Sequence, residues 1–359
     1  MDTKCLNINL DKSVFVLLGR KDIKLKIQKE IARIPLTYEG NVLKQKTRDK
    51  WLGEQIDAGG ESSSIKATIN ARKPRIMTSI LEITSIIEET RMNRIGGLQC
   101  GLDLWEIAVI PALLYNSNCW SSLTEEEINN CENIQLYFLR SILAVPKSTP
   151  KPSLVHQWNS LLMKTRILKN ILNLAKHIAT LPNTSLANEI FNEQLVNKWP
   201  GLIKDAEKAA RLFEIDFDLI VNRDISKISF KRYVKKQARI FNNKTLKDSM
   251  TTYKKLDQII NENPAEVKYF RNEPVFSGRQ IFRFKTEMYE AKLNFKRKYN
   301  NNNNFLCDSC QSQQDQNSHV LYCESYKDLR AGKNLQSDRD LGMYLQQVLQ
   351  IRTQLRLTR

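Results

Sequence analysis

Apolar and polar positions alternate at the start of the chain. Leu6, Ile8 and Leu10 fall on one face of an extended segment, and Ser13 to Leu18 is a β-prone run closed by Gly19. After a short basic linker, Trp51 to Ile56 reads as another strand, ended by the Gly59-Gly60 turn signal. So few strands cannot cover their own apolar faces, so residues 1–57 predict a partial antiparallel sheet with an exposed edge. From Ile65 the period turns helical: Ile69, Ile76, Ile80, Ile83, Ile87 and Met92 return on one side, Pro74 is a candidate kink, and Gly96-Gly97 is the stop. A second helix covers Leu98 to Tyr115. A third starts at Thr124, whose hydroxyl can cap Glu127 in a capping box; it buries Ile128, Ile134, Leu136, Phe138 and Leu139 and stops before Pro146.

Pro146, Pro150 and Pro152 mark the clearest linker. Beyond it Leu154 to Leu181, Ser185 to Trp199 and Leu202 to Leu219 read as amphipathic helices, and Leu341 to Leu357 as a final one. The pattern predicts a mainly α protein with a small N-terminal β remnant at 1–57. Helical units follow at 58–150 and 151–223, then a basic aromatic-rich helical segment at 224–300, a cysteine segment at 301–330 and a closing helix at 331–359.

The 359 residues, 41% of them hydrophobic, can build a sizeable core, which excludes a chain disordered throughout. A net charge of +17 points to a polyanion, nucleic acid before anionic membrane. The longest uncharged run, Ile107 to Thr124, carries too many Asn, Ser and Pro residues to span a bilayer, and the N-terminus lacks a signal h-region. An intracellular protein, nuclear or cytoplasmic and not secreted, is expected.

The charge is localised: Asp224 to Lys298 holds 19 basic against 8 acidic residues, a net +11. Within it lie Lys231, Arg232, Lys235, Lys236, Arg239, Arg283, Lys285, Lys296, Arg297 and Lys298, interleaved with Phe230, Tyr233, Phe241, Tyr253, Tyr269, Phe270, Phe282, Phe284, Tyr289 and Phe295, with Tyr299 just beyond. Cations that displace counterions, beside rings that stack on unpaired bases, suit single strands or hybrids. The competing expectation is that aromatics at helical spacing form core and the charges form a solvated face.

Seven cysteines form an odd set that bunches late in the chain, as Cys307-x2-Cys310-x8-His319-x3-Cys323. Two thiolates in a tight turn with a second pair a loop away make a closed Cys3His shell, the pattern of structural Zn2+, with no coordination position left for a catalytic water. Chemistry of other kinds is sparse. Asp216 and Asp218 are the nearest thing to a paired carboxylate set, His156 and His177 have no nucleophile motif beside them, and neither phosphate-loop motif occurs.

Several strings resemble the C-terminal part of the reverse transcriptase polyprotein of non-LTR retrotransposons, from late palm through thumb to a zinc-binding tail. Lys4 to Ser13 is similar to the palm segment downstream of the catalytic aspartates, with Lys12 at the position of a palm lysine near the incoming nucleotide. Lys50-Trp-Leu-Gly53 is similar to a strand that grips the primer end, with Trp51 in place of Tyr and Gly53 kept. Ala71-Arg-Lys-Pro-Arg75, Arg94-Ile-Gly-Gly97 and Leu104 to Asn116 with Trp120 resemble the thumb, implying nucleic-acid contacts for Arg72, Lys73 and Arg75. Arg283-Phe-Lys-Thr286, Asn294-Phe-Lys296 and the Cys3His set resemble the tail.

The resemblance implies RNA or an RNA–DNA hybrid as partner, with target DNA a further candidate. It also implies an RNA-directed DNA polymerase as the parent, whose paired palm carboxylates hold two Mg2+ ions. Those carboxylates are expected upstream of residue 1, so this chain alone is expected to bind without polymerising. Two other readings stand beside it: a domesticated zinc-stabilised helical scaffold for protein or chromatin partners, and a clipped gene model of the full polymerase. The oligomeric state is left open.

Overall fold

The isoleucine stripe forms as its spacing predicts. In the computed structural model, which describes residues 14–17, 21–38, 40–57, 63–89, 95–120, 122–199, 201–253, 256–289 and 305–357, Ile69, Ile76, Ile80, Ile83 and Ile87 are all buried along one helix. That helix, α2 (Ser64–Glu89), runs through Pro74 as a single element. The backbone bond that proline cannot donate is outweighed by the burial of the stripe.

The N-terminal strands depart from expectation in three ways. The strands β1 (Val14–Phe15), β2 (Thr37–Tyr38), β3 (Asn41–Val42), β4 (Lys44–Gln45), β5 (Arg48–Trp51) and β6 (Glu54–Asp57) make three two-stranded sheets, and one of them, β1 with β4, is parallel rather than antiparallel. The basic linker contains a helix, α1 (Lys21–Arg33). Trp51 to Ile56 is not one strand but the tip of the β5–β6 hairpin, with Trp51 paired to Glu54. Its two loop residues, Leu52 (φ 45°) and Gly53 (φ 86°), both take positive φ, which matches the right-handed twist of the flanking strands. The hairpin leans on α2, where Gln55 N–H donates to Thr68 Oγ1 (2.8 Å) and Asp57 N–H to Ser64 Oγ (3.1 Å). The strand expected over Leu6 to Leu10 lies outside the described residues.

The body is helical. After α2 come α3 (Gly97–Leu104), a π-helical stretch (Trp105–Val109) and α4 (Ile110–Leu113). Then α5 (Glu125–Leu143) starts at the expected capping box: Glu127 N–H donates to Thr124 Oγ1 (3.3 Å) while Thr124 N–H donates to Glu127 Oε2 (2.8 Å). Next are α6 (Lys151–Gln157), α7 (Met163–Ala179), α8 (Leu186–Asn197), α9 (Leu202–Leu212) and α10 (Asp218–Val221). The long basic α11 (Lys227–Met250) is followed by α12 (Asp257–Ile260), α13 (Tyr269–Asn272) and α14 (Val275–Lys285). The tail adds α15 (Asn317–Tyr322), α16 (Lys327–Arg330) and α17 (Asp338–Leu357).

One apolar core runs from Ile69 to Phe282, crossing the proline-rich segment at 146–152. Helix α3 approaches α2 and α5 closely. A Cβ at Gly101 would sit 2.2 Å from Ile142 and 2.4 Å from Ile87. A second, smaller core gathers Phe284, Tyr289, Cys307, Cys323, Tyr326, Tyr344, Leu345 and Val348. Helix α14 contributes to both, with Phe282 in the first and Phe284 in the second, and α17 packs along it.

Candidate functional site

The smaller core is built around the cysteines. Cys307 and Cys310 bracket a turn closed by Gln311 N–H to Cys307 O (3.0 Å) and Cys307 N–H to Gln313 O (2.9 Å). Gln311 takes φ 55° to reverse the chain. Helix α15 then carries His319 back over the turn, and Cys323 follows its last residue, with Cys323 N–H on His319 O (2.7 Å).

The four ligand atoms of Cys307, Cys310, His319 and Cys323 all lie within 4.8 Å of one another. Cys307 Sγ stands 4.0 Å from Cys323 Sγ, and Cys310 Sγ stands 3.3 Å from His319 Nε2. Such a cluster can hold a metal ion. Its surroundings orient it: His319 Nδ1 lies 2.9 Å from Gln313 Oε1, an acceptor, so Nδ1 carries the proton and Nε2 turns its lone pair to the thiols. Ser312 Oγ donates to Cys310 Sγ (3.2 Å) and Arg352 Nη2 approaches Cys307 Sγ at 3.9 Å.

Burial works to raise the Cys310 thiol, but hydrogen bonds from the Ser312 side chain and from the Ser312 and Gln313 backbone outweigh it and bring it down to about 6. Cys323 is pushed up to about 11, by burial first, with the neighbouring Cys307 and Cys310 adding to it. Cys310 therefore ionises more readily than Cys323, whose proton a bound cation would have to displace. All four donors belong to the protein, so an ion held here would keep no open coordination position.

Arg352 ties the cluster to α17. It is fully buried, as is Asp315, to which it donates from Nη2 (2.6 Å) and Nη1 (3.1 Å). Burial opposes the charge of Arg352, and the Asp315 carboxylate more than restores it. Arg330 closes the other side by donating to Cys323 O (2.6 Å).

No family model, curated protein or solved structure matches this chain.

The expected nucleic-acid residues divide by where the fold puts them. Lys231, Arg232, Lys235, Lys236 and Arg239 are all exposed on α11, whose Phe230, Val234 and Ala238 are buried beneath them. Lys73 and Arg75 are exposed on α2. Trp51 is 64% exposed at the hairpin tip, and Gly53 closes the turn where a Cβ would come within 3.0 Å of the Tyr115 ring.

Arg72, by contrast, is spent inside the fold. It donates to Leu113 O (3.1 Å), Tyr115 O (2.9 Å), Gly53 O (3.1 Å) and Glu54 Oε1 (2.6 Å), and Glu54 in turn accepts from Trp120 Nε1 (3.2 Å). It pins the hairpin to the helices. Arg283 donates to Ala144 O, and Lys285 pairs with Glu262 (3.0 Å) and lies over the Tyr269 ring, so both are half-buried joints between segments. Lys12, Lys296, Arg297 and Lys298 lie outside the described residues.

The interleaved rings are mostly core, not stacking platforms: Phe230, Tyr269, Phe270, Phe282, Phe284 and Tyr289 are buried, while Tyr233 and Tyr253 stay exposed. Phe295 and Tyr299 are outside the described residues. Among the described residues, no helix is long and apolar enough to cross a membrane.

The pattern of the sequence did not single out Gln313, Ser312, Asp315 and Arg352 around the metal cluster. Only the adjacency of Ser312 and Gln313 to Cys310 could have suggested them; nothing local marks Arg352.

Proposed function

We propose that this chain holds nucleic acid as the thumb and tail of a reverse transcriptase of the non-LTR retrotransposon kind. It would grip a template–primer hybrid, or target RNA or DNA, and carries no paired carboxylates for the two Mg2+ ions of the parent enzyme. The observation that carries this reading is the row of five exposed cations on α11, set on a helix whose other face is fixed in the core. A rigid positive ridge releases counterions from a phosphate backbone without ordering cost. The exposed Trp51 at the hairpin tip, beside Lys50, adds an apolar contact of the type that positions a strand end.

Zinc is the metal this reading assigns to Cys307, Cys310, His319 and Cys323. Donors at about 2.3 Å for sulfur and about 2.0 Å for nitrogen around one tetrahedral ion put sulfurs a little under 4 Å apart; the 4.0 Å Cys307–Cys323 and 3.3 Å Cys310–His319 separations are near that spacing, within a group spanning up to 4.8 Å that would tighten around the ion. When bound, the ion would supply a fixed anchor and no reactive position.

Fluorescence anisotropy with an RNA–DNA hybrid, duplex DNA and single-stranded RNA across a salt series tests the reading. Binding is expected to fall steeply with salt and to favour the A-form hybrid over duplex DNA. Affinity indifferent to salt, or absent at low salt, would overturn it. A second reading, a helical scaffold for a protein partner, rests on Leu186, Ile190, Val196 and Trp199, which are exposed on and just after α8. It gains ground if the hybrid is not preferred.

A further inference from the structure

Beside the α11 ridge lies a cleft of about 730 Å³ between α11, α7, the loop after α6 and the segment that ends in α13. Lys235 and Arg239 of α11, Lys169 of α7, and Lys268 and Arg271 around α13 line it. These cations come from three elements that only the fold brings together. Among the described residues Lys169, Lys235, Lys268 and Arg271 make no side-chain hydrogen bond or ion pair, and Arg239 has only Asn159 Oδ1 at 3.1 Å.

The acids in the same cleft are occupied. Glu106 takes both arms of Arg166 (2.8 and 2.5 Å), and Asp103 accepts from Gln99 (2.9 Å). Six cations against two acids leave the cleft lining net positive. Lys169 registers it: burial first, then Arg166, Lys235 and Lys231, hold its ammonium below the ordinary lysine value, with only Glu106 opposing.

The floor is apolar but closed to bases. Trp158 and Phe270 are each 3% exposed and stack on one another at 4.4 Å, so their faces are used up. Cations with few partners in the fold, above rings already stacked on one another, make a site for phosphate oxygens rather than for a base.

We infer that this cleft takes the phosphates of a single nucleic-acid strand, without reading its bases. The inference rests on the nucleic-acid reading above and sharpens it, because a cleft of this size admits nucleotide-sized units and not a duplex. A strand leaving a hybrid held on the α11 ridge would enter it.

The test compares two charge-matched pairs by anisotropy with single-stranded RNA. Lys169→Gln with Arg271→Gln empties the cleft from outside the ridge, whereas Arg232→Gln with Lys236→Gln removes the same charge from the ridge alone. The cleft pair is expected to weaken binding about tenfold and to flatten the salt slope by about 1.4, at about 0.7 per lost phosphate contact on a single strand. The ridge pair is expected to cost about twofold, as a distant charge screened by salt does, and an abasic strand should bind like a normal one.

Equal losses from the two pairs would overturn the cleft and leave the nucleic-acid reading standing. No binding by the unaltered protein would overturn that reading itself. A large loss on removing the bases, or displacement of the strand by free nucleoside triphosphate at equal phosphate, would reassign the cleft to a different ligand. Acetylation footprinting of the unaltered chain guards against misfolded variants: bound strand should protect Lys169 and Lys268 and leave Lys236 reactive, and reactive Lys169 in the complex would overturn the inference.

Discussion

Arg72 and His156 show how single side chains decide local stability. With four acceptors spread over the hairpin tip, Glu54 and the end of α4, Arg72 holds three segments at once. Arg72→Ala should lower unfolding free energy by about 3 kcal/mol, since it strands the partly buried Glu54 and several carbonyls. Arg72→Lys should recover less than half, because an ammonium cannot fork between them; chemical denaturation measures both. His156 is wholly buried, and among the described residues neither of its ring nitrogens has a partner. Burial holds its pKa below the ordinary value, with Glu262 opposing and Lys247 assisting. As pH falls, the unfolded chain therefore takes the proton first, so this contribution is present above the ordinary histidine value of about 6.5 and is lost below it. Urea midpoints should drop between about pH 7 and pH 5, and His156→Leu should drop less; equal slopes would remove His156 as the cause.

Elements that bury a stripe were legible in the sequence, and elements that do not were hidden. The isoleucines of α2 and the Thr124 capping box could be read directly because both are periodic or local signals. The β5–β6 hairpin was not, because its turn begins with Leu52, a residue that rarely takes positive φ, so a continuous strand looked better. Helix α1 was missed because its charges outnumber its apolar residues and Leu25 and Ile27 stay exposed. The cysteine spacing announced a Cys/His group that could hold a metal ion, whereas Arg352 lies 37 positions from Asp315 with no local mark. The cleft cations Lys169, Lys268 and Arg271 were equally silent, being scattered over the sequence and joined only in space. At Gly101 the close approach of α2, α3 and α5 gives a direct check: Gly101→Ala should destabilise by about 1–3 kcal/mol through overpacking, exceeding the roughly 1 kcal/mol that alanine gains in helix propensity. A higher melting temperature in that variant would show that the contact relaxes freely.

Across the whole molecule the two cores differ in what maintains them. The large one, from Ile69 to Phe282, is closed by apolar packing, while the small one includes Cys307 and Cys323, two members of the group that could hold an ion, among its buried members. Chelation, or Cys310→Ser, should therefore loosen residues 305–357 while residues 63–285 hold together. Limited proteolysis read by mass should show cuts within 305–330 and a surviving helical fragment; simultaneous loss of both parts would mean that α14 couples them more tightly than their separate cores suggest. The buried Arg352–Asp315 pair has a consequence for biosynthesis. All four metal donors leave the ribosome before Arg352 does, so until α17 emerges the Asp315 carboxylate stays hydrated. Were an ion captured by these donors during synthesis, docking of α17 would follow it, and the arginine would close as a latch over the site.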